Sequence, residues 1–113
     1  MNTRGQEAEK LAAAFLERKR LRIVERNYRS RFGEIDLIAR DGEALVFVEV
    51  RERKSEAFGG AAASITTAKQ KKLTRTALAY LTGNARPPPC RFDAILIGAS
   101  GKIEWLRDAF AAS

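Results

Sequence analysis

Three carboxylates, those of Glu34, Asp36 and Glu49, lie in two short apolar-rich runs on either side of an Asp41-Gly42 pair. An Asp-Gly pair between two such runs is typical of a β-hairpin. With a two-residue loop at Asp41-Gly42, Asp36 pairs with Phe47 and Glu34 pairs with Glu49. Because side chains alternate between the two faces of a strand, the three carboxylates then share one face of the hairpin.

Carboxylates on neighbouring strands need positive charge nearby, because like charges opposite each other destabilise a sheet. The sequence offers two sources of this charge, which are the nearby Arg51 and a divalent cation. A cation would take Glu34, Asp36 and Glu49 as candidate ligands, and oxygen ligands without His or Cys suit Mg²⁺ or Mn²⁺. The alternative is structural, either an ion pair between Glu49 and Arg51 or a Glu49 side chain at a solvent-facing strand end.

The composition excludes several other kinds of chemistry. The chain has 113 residues, with no His and one Cys. Ser-His-Asp triads, His general bases, internal disulfides and multi-Cys metal clusters are therefore excluded. The groups left for chemistry are carboxylates, Lys, Arg, Tyr, Ser and Thr, with or without a hard metal ion.

The net charge points to a polyanionic partner. Lys and Arg number 21 against 14 Asp and Glu, which gives a formal charge of +7. Nucleic acid and an anionic membrane surface both fit this charge, and an ordinary solvated basic surface is the alternative. No apolar run reaches the ~18 residues that span a bilayer, the N-terminus lacks a signal-peptide core, and one thiol fits the cytoplasm. The length fits a single domain over residues 1–113.

Hydrophobic periodicity predicts the elements that must position these side chains. We expect helices over residues 3–19 and from 66 or 67 to 81, and strands over 22–29, 34–40, 44–51, 92–97 and 103–106. This order, α-β-β-β-α-β-β, predicts an α/β or α+β sandwich, with one mixed sheet and helices packed on it. The predicted hairpin register also gives one wholly apolar face, formed by Ile35, Leu37, Ala39, Val46, Val48 and Val50.

An ordered set of motifs along nearly the whole chain resembles the YraN family of small bacterial proteins. The motifs are Gly33-Glu-Ile-Asp-Leu-Ile-Ala39, Val46-Phe-Val-Glu-Val-Arg51, Arg53, Phe58-Gly59, Lys69, Arg91-Phe-Asp93 and Ala109-Phe110. The resemblance implies a restriction-endonuclease-like fold with a central five-stranded mixed sheet. The wider superfamily, which carries the PD-(D/E)xK signature, is similar in plan to Holliday junction resolvases and type II restriction enzymes.

The resemblance also implies roles for individual residues. Asp36 corresponds to the first metal-binding carboxylate and Glu49 to the second. Arg51 stands where the signature has Lys; because Arg stays charged, it can stabilise a phosphate but cannot act as a base. Glu9 matches the acidic residue of the first helix, and Lys69 matches the basic residue near the start of the second helix.

Hydrophobic periodicity alone does not select Glu9 but does predict the orientation of Lys69. Glu7 and Glu9 lie at opposite edges of the apolar stripe of the first helix, so the residues themselves do not choose between them, and a solvated helix-edge Glu is the alternative for each. Lys69 lies one turn before Leu73 on the buried stripe, which predicts that it points toward the sheet. A side chain that snorkels past the edge of the core is the alternative for Lys69.

Several basic side chains are candidate phosphate contacts, with ordinary surface charge as the alternative for each. The candidates for nucleic-acid binding are Arg29, Arg31, Arg53, Lys54 and Lys72. Tyr28 could stack on a base or belong to the core, and Phe58 lies in an expected loop over residues 55–63. Asp93 follows Arg91 on an apolar strand, which favours a structural ion pair or a strand-end role over metal binding.

These observations favour a metal-dependent nuclease or nuclease-like protein acting on DNA or RNA, with Mg²⁺ or Mn²⁺ held by the acidic cluster. A second hypothesis is a binding module that keeps the fold without catalysis. A third is a protein-interaction adaptor whose acidic cluster is a structural ion-pair network. A homodimer is common among similar nucleases, but the sequence shows no distinct dimer patch.

Overall fold

The computed structural model describes residues 3–52 and 65–111 of the chain. Its elements follow the predicted order, and the type of each agrees with the periodicity. They are α1 (Thr3–Arg18), β1 (Arg22–Ser30), β2 (Gly33–Asp41), β3 (Ala44–Glu52), α2 (Thr67–Leu81), β4 (Cys90–Ile97) and β5 (Ile103–Phe110). None of the helices within these residues is long and apolar enough to cross a membrane.

The five strands form one mixed sheet in the order β1-β2-β3-β4-β5. Neighbouring strands are antiparallel except β3 and β4, which run parallel. Two parallel neighbours need a crossover connection, and α2 lies between them in the chain. The predicted fold class, an α/β fold with a five-stranded mixed sheet and flanking helices, is confirmed, and it is consistent with the restriction-endonuclease-like plan.

Each face of the sheet carries its own apolar core. On one face, the core combines buried residues of α1 with residues of the sheet such as Leu37, Val46 and Val48. On the other face, Leu73 and Ala77 of α2 pack with sheet residues that include Phe47. Residues of β2 and β3 contribute to both cores, so these strands lie in the interior of the sheet. A polar side chain on them is shielded from water where the two strands are paired.

The hairpin between β2 and β3 has a register two residues away from the predicted one. Asp41 pairs with Ala44, and Leu37 pairs with Val48, so the two loop residues are Gly42 and Glu43. Gly42 has a φ of 60°, and the favoured two-residue hairpin turns require positive φ at the first loop position. The glycine therefore begins the loop, and the predicted pairings of Asp36 with Phe47 and of Glu34 with Glu49 are wrong.

The alternation of β2 also breaks once. Leu37 packs in the core on the α1 side, whereas Ile35 packs with Ile38 in the core on the α2 side. The predicted placement of Ile35 on the same face as Leu37 is therefore wrong. The break coincides with an irregularity in β1, where Asn27 has a φ of 52° between the partners of Leu37 and Ile35. A shift of two residues would preserve the faces, but this local break does not.

Strand β5 extends four residues beyond the predicted end at residue 106, to Phe110. The extension passes through a register shift and a positive φ of 52° at Asp108. The Asp108 N–H donates to the buried Asp93 carboxylate at 2.9 Å, and the Phe110 ring stacks on Phe92 with centroids 4.7 Å apart. These contacts join distant parts of the chain, so local periodicity does not reveal them.

Candidate functional site

Asp36 lies where β2 and β3 separate. The last paired residues of the β2–β3 ladder are Leu37 and Val48. Two positions further along β3, the Val50 N–H donates to Oδ2 of Asp36 at 2.8 Å. The side chain of Asp36 thus occupies the gap between the strands and satisfies a backbone donor that the ladder leaves without a β2 carbonyl.

Glu49 is a buried carboxylate on the central strand β3. Its side chain is 5% exposed, and its oxygen Oε2 lies 2.8 Å from Nζ of Lys69 and 3.6 Å from Nε of Arg51. A buried carboxylate requires such partners because burial without them costs several kcal/mol, roughly. The Glu49–Arg51 ion pair considered from the sequence is therefore present, and Lys69 is a second and closer partner.

Helix α2 places Lys69 at this carboxylate. The helix begins after Thr66, whose Oγ1 accepts the Lys69 N–H at 3.1 Å and caps the first turn. One turn later, Leu73 anchors the same face of the helix in the core. The side chain of Lys69 therefore points toward the sheet, as its position on the stripe predicts, while 39% of its surface stays exposed.

Burial and the neighbouring Glu49 shift the pKa of Asp36. The pKa of Asp36 is raised from 3.8 to about 7, first by burial and then by the charge of Glu49. The hydrogen bond from Val50 lowers this pKa, whereas a hydrogen bond with Glu49 and the charge of Glu9 raise it further. A buried Asp36 beside the Glu49 carboxylate therefore forms a site that a cation or a proton stabilises.

Glu9 approaches this pair from the opposite layer, on α1. Its side chain is half-buried and lines a shallow groove between α1 and β1 together with Arg26 and Asn27. Asn27 is the residue of β1 that lies opposite Asp36, between the paired residues on either side. The acidic residue that the resemblance selects on the first helix therefore borders the β1 residue opposite Asp36, and its charge acts on the Asp36 carboxyl group.

Glu34, in contrast, is not brought to the pair. It lies next to β1, where its Oε2 is 3.1 Å from Nε of Arg29, and both side chains are more than half exposed. Within residues 3–52 and 65–111, no three acidic, His or Cys side chains converge as a metal cluster. The acidic centre is thus formed by Asp36 and Glu49, with Glu9 as an electrostatic neighbour.

The predicted nucleic-acid contacts fall in several places. Arg29 is engaged with Glu34, the Arg31 guanidinium lies 4.9 Å from the centre of the Phe32 ring, and Lys72 is exposed on α2. Arg53, Lys54 and Phe58, with the expected loop over residues 55–63, lie outside the described residues.

Tyr28 belongs to the core, as one of its two interpretations predicts. It packs edge-on against Tyr80 with ring centroids 5.1 Å apart. The aromatic residue that sequence reasoning missed is Phe32, which is exposed at the turn between β1 and β2. The available signal was its position between Arg31 and Gly33, in a segment expected to be a loop.

A second buried carboxylate, Asp93, forms a structural network instead. It is fully buried and accepts hydrogen bonds of 2.9 Å from Nε of Arg91, Nε1 of Trp105 and the N–H of Asp108. The structural ion pair expected between Arg91 and Asp93 is confirmed. Arg91 also contacts Asp41 at 2.9 Å, which ties the hairpin to β4. Since three donors satisfy it, Asp93 is assigned to stability.

Comparison with known proteins agrees with the resemblance in the motifs. Residues 8–97 match the model of the uncharacterised protein family UPF0102. A UPF0102 protein of Nitrosomonas europaea is 57% identical over 112 residues, which cover 97% of this chain and 95% of the relative. A UPF0102 protein of Methylobacillus flagellatus is 51% identical over 115 residues, which cover 99% of this chain and 100% of the relative. The chain therefore belongs to the UPF0102 family, which is the YraN family.

Proposed function

We propose that this protein is a metal-dependent nuclease that hydrolyses phosphodiester bonds of DNA or RNA. The observation that carries the proposal is the contact between the carboxyl groups of Asp36 and Glu49, at the point where the β2–β3 ladder ends. Burial and the charge of Glu49 raise the pKa of Asp36 to about 7, so two carboxylates share a site that favours a cation. Perturbed carboxylates of this kind are typical of functional sites.

The donor set fits a hard divalent cation. Both groups offer oxygen, and Mg²⁺ in phosphoryl chemistry is commonly held by one or two carboxylates, with water and substrate phosphate as its other ligands. The two carboxylates of Asp36 and Glu49 are therefore sufficient to hold the cation. Glu34, which the predicted register placed beside them, is not needed as a third ligand. A cation here would offset the repulsion that raises the pKa of Asp36.

Asp36 and Glu49 would hold the cation, which supplies electrostatic stabilisation of the phosphate and activation of a water. The chain's own residues provide the rest of the site. Lys69 holds the Glu49 carboxylate at 2.8 Å, which fixes its orientation. An arginine side chain cannot act as a base, so Arg51 binds a phosphate oxygen and leaves proton abstraction to other groups.

The surface charge supports a nucleic-acid substrate. The formal charge of the chain is +7. On α2, Lys72 follows the Glu49-bound Lys69 by three residues, so the two side chains lie on neighbouring turns of one helix face. Positive charge placed this way binds successive phosphates and carries little sequence preference.

The test is cleavage of branched and single-stranded DNA by purified protein in Mg²⁺ or Mn²⁺. Wild type should cleave, and Asp36→Asn and Glu49→Gln should each lose at least about 100-fold in rate, because each removes a charged cation ligand. Glu43→Gln, which changes an exposed carboxylate of the hairpin loop, serves as the matched control. Equal cleavage by wild type and Asp36→Asn would show that a contaminant is responsible.

A second candidate function is nucleic-acid binding without catalysis. The observation that favours it is the pair of cations on Glu49, since Lys69 and Arg51 already neutralise this carboxylate. Such a module binds DNA with a strong salt dependence and no metal dependence. Salt-sensitive binding by wild type that Asp36→Asn preserves, together with no cleavage in either metal, would select this function over the first.

A further inference from the structure

The turn between β1 and β2 carries an exposed aromatic ring with a cation on it. Phe32 is 37% exposed, and it is the only exposed aromatic side chain in the described ranges. The guanidinium of Arg31 lies 4.9 Å from the centre of the Phe32 ring. An aromatic ring and a planar guanidinium both stack on nucleic-acid bases, and the positive charge also attracts a nearby phosphate.

The turn is fixed against α2. The Phe32 N–H donates to Oγ of Ser30 at 3.0 Å. Gly33 has a φ of 148°, and a Cβ at this residue would lie 3.4 Å from Oγ1 of Thr76 and 3.9 Å from Cβ of Lys72. The backbone of the turn thus packs closely on the helix, which holds the Phe32 ring in a defined place relative to α2.

The same helix links this turn to the paired carboxylates. Lys69 contacts Glu49 at 2.8 Å, and Lys72 and Thr76 follow three and seven residues later. At a rise of ~1.5 Å per residue, these positions lie about 4.5 and 10 Å along the helix from Lys69. These distances correspond to about one and three nucleotides at the ~3.4 Å rise per nucleotide of a stacked strand.

We propose that Phe32 stacks on an unpaired base of the nucleic acid, so that the substrate class is a strand with a single-stranded segment beside the cleaved bond. This inference rests on the proposed function. In a duplex the faces of the bases are covered by their neighbours, and an aromatic side chain reaches them only by unstacking a step. The Arg31 guanidinium over the ring, and Lys72 on the part of α2 that packs against the turn, favour nucleic acid over an apolar peptide as the occupant.

The experiment measures binding without cleavage, by fluorescence anisotropy in EDTA at low salt. The probes are a labelled DNA strand of about 16 nucleotides and the blunt duplex of the same sequence. We compare wild type with Phe32→Ala, with Phe32→Tyr, which keeps a stacking ring, and with Leu11→Ala. Leu11 is an exposed apolar residue of α1, so it is a control for loss of surface apolar area.

For Phe32→Ala we expect the Kd for the single strand to rise roughly 5- to 100-fold, the range of one lost base–aromatic stack. The Kd for the duplex should change by less than about twofold, and Phe32→Tyr should bind like wild type. An equal loss on both probes, or no loss on the single strand, overturns the inference. Circular dichroism is the control that checks whether Phe32→Ala is folded.

The same measurements separate this inference from the proposed nuclease activity. If wild type binds single strands through Phe32 but cleaves nothing in Mg²⁺ or Mn²⁺, the catalytic proposal fails and the stacking site stands. If cleavage depends on Asp36 while Phe32→Ala binds normally, the stacking site alone fails. If wild type binds neither probe at low salt, both fail.

Discussion

Oδ2 of Asp36 accepts the Val50 N–H at 2.8 Å, at the point where the β2–β3 ladder has just ended at Leu37 and Val48. The carboxylate therefore accepts the hydrogen bond that a β2 carbonyl would accept in a continuous ladder. It links β2 to β3 at the point where their backbones separate. This contact stabilises the negative charge, yet burial and Glu49 outweigh it, and the pKa of Asp36 is raised. When no cation is present, the ionised Asp36 carboxylate therefore lowers the free energy of unfolding.

Asp36→Asn should stabilise the metal-free protein at pH 8. The amide oxygen can still accept the Val50 N–H, whereas the repulsion with Glu49 disappears. We expect the free energy of unfolding to rise by roughly 1–3 kcal/mol, measured by urea denaturation in EDTA. Glu43→Gln, the exposed control, should change it by less than about 0.5 kcal/mol. A less stable Asp36→Asn would show that the charge of Asp36 contributes to the fold.

The stability difference between wild type and Asp36→Asn should depend on pH in one direction. Native Asp36 has a pKa of about 7 against 3.8 for an ordinary Asp, so between these values the native state holds a proton that the unfolded state has lost. Wild type therefore loses stability relative to the variant as the pH rises from about 4 to about 7. Denaturation curves across this range measure the slope, and a difference that stays constant with pH would contradict the shift.

The meeting of Asp36 and Glu49 could be predicted from the sequence even though the register was wrong. A register error of two residues keeps a side chain on its face wherever the alternation of the strand is regular. Asp36 still hydrogen-bonds with Glu49 although the alternation of β2 breaks between Ile35 and Leu37. The error came from Gly42, whose positive φ starts the loop one residue after Asp41. The placement of Glu34 did not survive, because this residue faces Arg29 on β1.

The contacts that could not be predicted join distant parts of the chain. The helical stripe indicated that Lys69 faces the sheet, but no local pattern states that its ammonium reaches Glu49, 20 residues earlier in the sequence. In the same way, the spacing of Arg91 and Asp93 predicted their contact. Trp105, in contrast, hydrogen-bonds to Asp93 only because β5 pairs with β4. Tertiary packing decides such partners.

Calorimetric titration with Mn²⁺ should detect a single weak site in wild type. Asp36→Asn and Glu49→Ala should each weaken the affinity by at least about 10-fold, because each removes one of two carboxylate ligands. Binding near pH 7 should release part of a proton from Asp36, which is seen as a heat that varies with the ionisation enthalpy of the buffer. Glu34→Gln should bind as wild type, since Glu34 is engaged with Arg29 away from the pair.

Lys69→Met should destabilise the fold by about 1–2 kcal/mol, since among the described residues it leaves the buried Glu49 with only the Arg51 guanidinium, at 3.6 Å. The value is discounted from that of a fully buried pair because Lys69 is partly exposed. Lys72→Met, one turn along the same helix, is the matched control and should be nearly neutral. Adding Glu49→Gln to Lys69→Met should recover much of the loss; if the two effects simply add, the ion pair contributes nothing.

Asp93→Ala should be the most destabilising of these changes and should leave the carboxylate pair intact. It leaves the Trp105 indole N–H and the Asp108 N–H without their acceptor and removes one of the two carboxylate partners of the partly buried Arg91, which together costs about 3–5 kcal/mol. Asp93→Asn keeps an acceptor and should cost less. Urea denaturation followed by Trp105 fluorescence measures both, and Mn²⁺ affinity should stay within about twofold of wild type in the folded Asp93→Asn protein. Loss of Mn²⁺ binding in that variant would mean that Asp93, and not only Asp36 and Glu49, supports the cation site.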